Sequence, residues 1–351
     1  MRLWKLHPGD PAPIQATERP EPHPARGEVR VDLRAASLNY RDLLLARGGP
    51  GSPRESGRIP LSDGAGIVTA LGDGVVEWKV GDRVTGCFFR DWIQGGFDMR
   101  HHSAARGGSV DGMLAPCIVG PAHSFVTTPT RLSDLEAACL PCAALTAWNA
   151  LVTNGALRAG QTVLVQGTGG VSTFALQFAT ALGAQVIVTS SSDIKLDEAR
   201  ALGAWAGINY RTHPEWHREV WRLTEKRGVD HVLDVGGEAT LDSSIQSLAA
   251  GGHLAVIGVL TGAGPVKVNW FPLVTKNARA SGIYVGSRAD FLEMNTFLNR
   301  TPIRPVIDRV LEFEEAPRAW ELLAQGAHRG KIVIRFPDGP RDSRASVGSG
   351  V

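Results

Sequence analysis

Hydrophobic and polar positions change rhythm twice along the chain. Up to about residue 125, apolar residues come in short alternating runs between prolines and glycines. Val29-Arg30-Val31-Asp32-Leu33-Arg34-Ala35 alternates as a half-buried strand does. The stretch from Gly64 to Gly72 and Val80-Gly81-Asp82-Arg83-Val84 read as further short strands bounded by glycine turns. This zone predicts a mainly β body, barrel-like or sandwich-like. From about 147 to 285 the pattern shifts. Thr162-Val163-Leu164-Val165-Gln166 is a continuous apolar run of the buried-strand kind. After it, Val171, Phe174, Ala175, Phe178, Ala179 and Leu182 fall 3, 4, 7, 8 and 11 residues from the first, the stripe of an amphipathic helix. Gly183 stands where a helix C-cap is expected. Val186 to Thr189 predicts a strand and Leu196 to Leu202 a helix closed by Gly203; strands follow at Val232 to Val235, Leu254 to Gly258 and Ile283 to Val285. Strands alternating with helices imply βαβ units and a parallel sheet covered on both faces. The last zone predicts helices around Phe291 to Leu298 and Ala316 to Leu323, a strand from Lys331 to Phe336, and a Ser/Gly/Arg-rich tail from Pro340.

Composition narrows the function classes. Lys and Arg number 37 against 35 Asp and Glu, a formal charge of +2, which offers no basic field for a nucleic-acid partner. No apolar run approaches the ~18 residues of a spanning helix, and the first residues lack a secretory signal, so the expectation is a soluble cytoplasmic protein with no membrane partner. Glycine, 41 of 351 residues, is about 12% against a usual ~7% and implies many tight turns and close backbone approaches. Cys87, Cys117, Cys139 and Cys142 are too few and too irregular for a disulfide framework. Cys139-Leu-Pro-Cys142 has the C-x-x-C form, but no second ligand pair accompanies it, and buried structural thiols are expected.

The chemistry concentrates at the strand-to-helix turn Gly167-Thr168-Gly169-Gly170-Val171-Ser172. Glycines there permit a tight turn and bring backbone N–H groups close to a pyrophosphate, at a helix N-terminus that favours negative charge. The end of the next strand decides the ribose. An acidic residue there would bond a 2′-hydroxyl and favour NAD. Here Ser190, Ser191 and Lys195 stand instead, suited to a 2′-phosphate, so NADPH is the expected cofactor. Asp193 is expected to point away, near the start of a helix capped by Ser192.

In order along the chain, Asn39-Tyr40-Arg41-Asp42, Gly64-Ala65-Gly66-Ile67-Val68, Val80-Gly81-Asp82-Arg83-Val84, Asp111-Gly112-Met113-Leu114-Ala115, Leu140-Pro141 with Leu145-Thr146-Ala147, and Gly330-Lys331-Ile332-Val333 carry a family resemblance. The chain resembles the medium-chain dehydrogenase/reductase superfamily over about residues 1 to 337, and within it the zinc-free quinone-oxidoreductase-like branch. It departs from the pattern at Pro116, where Glu is usual. The resemblance implies an α/β protein with a discontinuous GroES-like, mainly β catalytic domain over 1–146 and 286–337. A Rossmann doubly wound parallel-sheet domain over 147–285 and a flexible tail over 338–351 complete it. It also implies a homodimer or homotetramer. Thr146 and the turn Gly258-Val259-Leu260 should line the nicotinamide pocket, and Tyr210 should lie beside the adenosine phosphate with Lys195.

Where zinc-dependent relatives carry Cys, His and Cys, this chain has Asn39, Ser62 and Cys142, with Asp63 at the acidic neighbouring position. One ligand type in three cannot hold a catalytic zinc, and no cysteine lies between Phe88 and Pro116 to form a structural one. No metal is therefore expected. Without a Lewis acid, reduction of a small-molecule enone or quinone is easier to support than alcohol oxidation, because the enolate needs only hydrogen-bond donors. Tyr40 is the first candidate donor or proton source and Asn39 the positioning amide. An enoyl thioester substrate, alcohol dehydrogenase activity and non-catalytic NADPH binding remain as alternatives. Trp92, Phe97, Trp148, Trp270 and Phe271 are aromatic candidates for lining a planar-substrate pocket or for core packing.

Overall fold

The computed structural model describes residues 1–49, 51–53 and 57–337, so the tail expected over 338–351 lies outside the described residues. The alternating run near residue 30 becomes the strand Glu28–Ser37, whose inward positions Val29, Val31, Leu33 and Ala35 are buried. It is the hub of a seven-stranded sheet. Asp63–Leu71 and Cys117–Pro121 pair with it antiparallel. Lys331–Arg335, nearly three hundred residues on, pairs antiparallel with its far end, at Val333 opposite Ser37, and brings Ile307–Glu312 alongside. Sequence from both ends of the described chain thus shares one GroES-like sheet and one core, in which Val29, Val31, Ile118, Ile332 and Ile334 meet Trp320 of the helix Ala316–Gln325.

The middle of the chain forms a six-stranded, all-parallel Rossmann sheet. In chain order its strands are Thr162–Gln166, Gln185–Ser190, Ala206–Asn209, Val229–Asp234, Leu248–Val256 and Arg279–Gly282. In space they run third, second, first, fourth, fifth, sixth. The order reverses between the first and fourth strands, the place where ligands bind in such sheets. The helix Gly170–Ala181 buries Phe174, Ala175, Phe178 and Ala179 as its stripe requires, and Gly183 ends it with φ 82°.

Two strand expectations shift. Val80 to Asp82 is a turn and the strand starts at Arg83, because Gly81 has φ 98° and the Lys79 N–H donates to Asp82 Oδ2 at 2.9 Å. Ile283 to Val285 lies just beyond the last parallel strand, Arg279–Gly282, since Val285 takes φ 59° and turns the chain out of extended geometry. Among the described residues, no helix is long and apolar enough to cross a membrane.

The two bodies come into close backbone contact at the glycine loop. Gly169 bridges to Gly330, and the Gly330 N–H donates to the Thr168 carbonyl at 3.0 Å. A methyl on Gly170 would lie 2.9 Å from Lys331 Cδ and 3.1 Å from Ala143 Cβ, so any side chain here would have to push both neighbours aside.

Candidate active site

A cleft of about 540 Å³ opens along this junction. Gln166, Ser190, Tyr210, Val235 and Ile257, at or just past the carboxyl ends of five parallel strands, form one wall. Leu38 to Arg41, Phe88, Cys142 and Lys331 form much of the other. Every residue singled out from the sequence for cofactor or catalysis lines it: Asn39, Tyr40, Thr146, Gly167 to Val171, Ser190, Ser191, Lys195, Tyr210 and Gly258 to Leu260.

The glycine loop is shaped for an anionic guest. Gly167 has φ 73°, and a methyl on either Gly167 or Gly169 would meet nothing within 4 Å, so bare backbone faces open space. Gly169 is the N-cap of the helix that follows, whose first N–H groups have no intrahelical partner. The Ser172 hydroxyl, in the third glycine position, donates to the Gln166 carbonyl at 2.6 Å and fixes the base of the loop.

At the ribose end, the Ser192 hydroxyl caps the helix Asp193–Ala201 by accepting the Lys195 N–H, as expected. The Asp193 carboxylate takes the Asn209 amide at 2.9 Å and is not among the cleft residues. Lys195 Nζ lies 3.4 Å from the His328 carbonyl, and the Tyr210 N–H donates to the Ser190 carbonyl at 3.0 Å, which gathers lysine, tyrosine and the two serines at one rim. The opposite end holds Thr146, buried in the helical stretch Leu145–Trp148, and the turn Gly258 to Leu260. Ile257 and Gly258 N–H both donate to the Asp234 carbonyl and close that turn.

The floor is polar. Asn39 caps the helix Tyr40–Ala46 in a reciprocal box, its N–H donating to Asp42 Oδ2 at 2.7 Å. Burial pushes the Asp42 carboxyl up to about 6, with the Arg41 charge and the Asn39 N–H acting against it. Sequence reasoning missed the central residue, Lys331. Its side chain is 2% exposed; Nζ donates to Asn39 Oδ1 and lies 3.4 Å from Oδ2 of the fully buried Asp63. Asp63 also accepts from the Ser62 hydroxyl at 2.6 Å. The closing Gly-Lys-x-Val motif was visible, but only strand pairing across the chain's ends brings Lys331 to Asn39.

The aromatic wall also differs from expectation. None of Trp92, Phe97, Trp148, Trp270 and Phe271 lines the cleft. Trp148 packs in the core against Phe178 and Phe297, Trp92 stacks on His101, and Trp270 and Phe271 are exposed outside it. Phe88 and Tyr284 line it instead, rings 6.0 Å apart, with the Arg41 guanidinium 4.5 Å over Phe88. These two belong to a ring cluster with Phe89, Phe97 and His102 in the region that lacks cysteines.

The zinc positions do not make a zinc site. Asn39 and Ser62 supply neutral oxygens, and Cys142, whose thiol is pushed up to about 12 by burial and the Asp63 charge, is the single soft ligand among the three positions, too few for a catalytic zinc. An ammonium already sits on Asn39 and Asp63. Among the described residues, no group of three or more His, Cys, Asp or Glu is placed to hold a metal ion. The thiols of Cys87 and Cys139 are buried and likewise pushed up to about 12 by burial, as structural cysteines are.

Known proteins agree with this architecture. Residues 25–130 match the alcohol dehydrogenase GroES-like domain and residues 170–300 the zinc-binding dehydrogenase domain. A zinc-type alcohol dehydrogenase-like protein of Schizosaccharomyces pombe is 44% identical, over 88% of this chain and 91% of its own length. The crystal structure of a putative alcohol dehydrogenase from Sinorhizobium meliloti superposes with TM-score 0.89 at 41% identity, over 95% of this chain and 99% of that one. A crotonyl-CoA carboxylase/reductase solved with NADP superposes with TM-score 0.85 at 25% identity, over 95% and 94%.

Proposed function

Because the chain belongs to the medium-chain dehydrogenase/reductase superfamily and is an alcohol-dehydrogenase-like oxidoreductase, we propose that it is a zinc-independent, NADPH-dependent reductase of activated C=C bonds or quinones, of the quinone-oxidoreductase-like branch. The observation that carries the reading is the convergence of the bare glycine loop, the Ser190, Ser191, Lys195 and Tyr210 rim and the Asn39, Tyr40 and Lys331 floor on one cleft.

In this reading the glycine loop holds the pyrophosphate on backbone N–H groups and the helix N-terminus. Lys195, with the serine hydroxyls and Tyr210, takes the 2′-phosphate, while Asp193 is withdrawn onto Asn209. NADPH, when bound, would supply a hydride, which carries both electrons of the reduction. Thr146 and the turn Gly258 to Leu260 orient its nicotinamide, and Phe88 and Tyr284, edge to face, present an aromatic wall for a conjugated substrate. Tyr40, half-buried at the start of its helix, donates the proton that completes reduction. No step requires a Lewis acid. An enoyl thioester belongs to the same class of activated C=C bond, and the likeness to a crotonyl-CoA carboxylase/reductase favours including it. The catalytic domain over 1–146 and 286–337, the Rossmann domain over 147–285, a homodimer or homotetramer, and a cytoplasmic setting are part of the proposal.

The test is NADPH and NADH oxidation against quinones, enones and enoyl thioesters, with and without chelator. Chelator-resistant turnover with NADPH is expected. Lys195→Ala should raise the dissociation constant for NADPH roughly 10-fold and leave that for NADH unchanged. Turnover confined to simple aldehydes or alcohols and abolished by chelator would overturn the reading. NADPH binding without turnover would make the protein a nucleotide-binding relative.

A further inference from the structure

Lys331 is the one lysine buried among the described residues. Its strand is fixed at both sides of the residue: the Lys331 N–H donates to the Val306 carbonyl at 2.9 Å, and the preceding Gly330 N–H donates to Thr168. The side chain then runs under Gly170 into the floor of the cleft, 2% exposed. A buried ion pair gives little net stability, because desolvating both charges offsets their attraction. Its partner is also fully committed. Asp63 takes the Ser62 hydroxyl at 2.6 Å and the Cys142 N–H at 3.4 Å as well as Lys331, while the Ser37 hydroxyl, 3.4 Å away, donates to the Ala138 carbonyl at 2.8 Å. An ammonium carries three donors, and Asn39 and Asp63 account for two. By accepting from Lys331 through its oxygen, the Asn39 amide is turned so that its NH₂ group faces Ser62 Oγ, 3.5 Å away, and the cleft.

We propose that Lys331 is the electrophile of this site: its ammonium, held by Asn39 and Asp63, stands in for the catalytic metal of zinc-using relatives and stabilises the negative charge placed on the substrate oxygen by hydride transfer. The inference rests on the function proposed above. The step balances as follows. Hydride leaves nicotinamide C4, with its electron pair, and forms a C–H bond at the β-carbon. The C=C pair moves toward the carbonyl, whose oxygen becomes an enolate oxyanion bonded by Lys331. A proton then reaches the α-carbon, giving reduced substrate and NADP. With a quinone, the same ammonium bonds the hydroquinone oxyanion. A preorganised donor in a dry site acts on charge where it develops, and removing one costs roughly 10²-fold in kcat.

Two readouts test this on the full chain. The first is a titration of the NADP complex with para-nitrophenol, whose anion is coloured and mimics a delocalised oxyanion. Wild type should bind it as the phenolate. Lys331→Met should bind the phenolate roughly 10²-fold more weakly, with NADP affinity within about twofold. Lys331→Met/Asp63→Asn removes both charges, so a folded variant is available should the single one leave Asp63 unpaired and unfold the chain; it should lose the phenolate equally. The second readout uses C4-deuterated NADPH with whichever substrate the turnover panel finds. kcat should fall roughly 10²-fold and the isotope effect rise as hydride transfer becomes limiting, with Lys331→Arg partly restoring both. Phenolate binding that survives in the variants, wild type that binds only neutral phenol, or a loss lying wholly in NADP or NADPH affinity would each overturn the proposal. A wild type that turns over nothing would defeat the function reading and the catalytic step with it, while the phenolate titration, which does not depend on turnover, would still decide whether Lys331 binds an oxyanion.

Discussion

Tyr40 and Asp42 share the first turn of one helix but differ in environment, and each makes a separate prediction. Tyr40 reaches the cleft, so Tyr40→Phe is expected to lower kcat about 10²-fold while leaving NADPH affinity unchanged. Unchanged kcat in a steady-state assay would assign the proton to solvent. Asp42 is buried, with Oδ1 unpartnered, and burial lifts its carboxyl from an ordinary 3.8 to about 6. A folded pKa above the unfolded one means that the native state holds the proton more tightly. Stability from this group is therefore present at low pH and is lost as pH rises from about 4 to about 6, by about 3 kcal/mol. Asp42→Asn is uncharged throughout and still accepts the Asn39 N–H. Its Tm relative to wild type should thus increase between pH 4 and pH 7, and a constant difference across that range would refute the assignment.

At the scale of elements, the strand-loop-helix unit around Gly167 was legible because its signals are local: an apolar run, glycines, then a stripe at helical spacing. Pairing across the chain was not. Nothing near Lys331 in sequence announces Asn39, since their contact follows from the antiparallel register of Lys331–Arg335 on Glu28–Ser37. Phe88 and Tyr284 were missed for the same reason, whereas Trp270 and Phe271 looked equally suitable by residue type alone. The glycines of the loop now separate by what surrounds them. A methyl at Gly169 meets nothing within 4 Å, and that residue's φ of −77° suits any L-residue. Gly169→Ala should keep the wild-type Tm and weaken NADPH binding, because the methyl intrudes only on the guest. Gly170→Ala pushes on Lys331 and Ala143, so it should cost about 1–3 kcal/mol and weaken NADPH binding too. Calorimetry beside fluorescence titration distinguishes the two; equal losses of stability would mean that the loop is tighter than its geometry.

Across the whole molecule, acid is the condition that should find the Rossmann sheet first. His231 and His253 face each other on neighbouring parallel strands, ring centroids 5.8 Å apart. Gln161 and Ser281 hold one nitrogen of each ring, and both Nδ1 atoms are buried without a partner. Burial pushes both imidazoles from 6.5 down to about 4, with nearby Arg279 opposing the charged form of each. A depressed folded pKa means that the unfolded chain binds protons first. The stability these rings contribute is therefore intact above pH 6.5 and is lost as pH falls toward 4. Asp308 acts below that interval: although burial opposes it, bonds from Arg309 and the Arg329 backbone hold its carboxyl below the usual range, so its contribution is lost only as pH falls past about 3.8. Asp42 acts the other way, but as one carboxyl between about 4 and 6 against two imidazoles whose interval runs from 6.5 down to about 4. Tm should accordingly fall between pH 6.5 and pH 4.5. His231→Gln/His253→Gln keeps a hydrogen-bonding side chain at each site without the proton-binding ring, and its Tm should fall less steeply over that interval. Parallel curves for the two proteins would place the acid-sensitive groups outside the sheet.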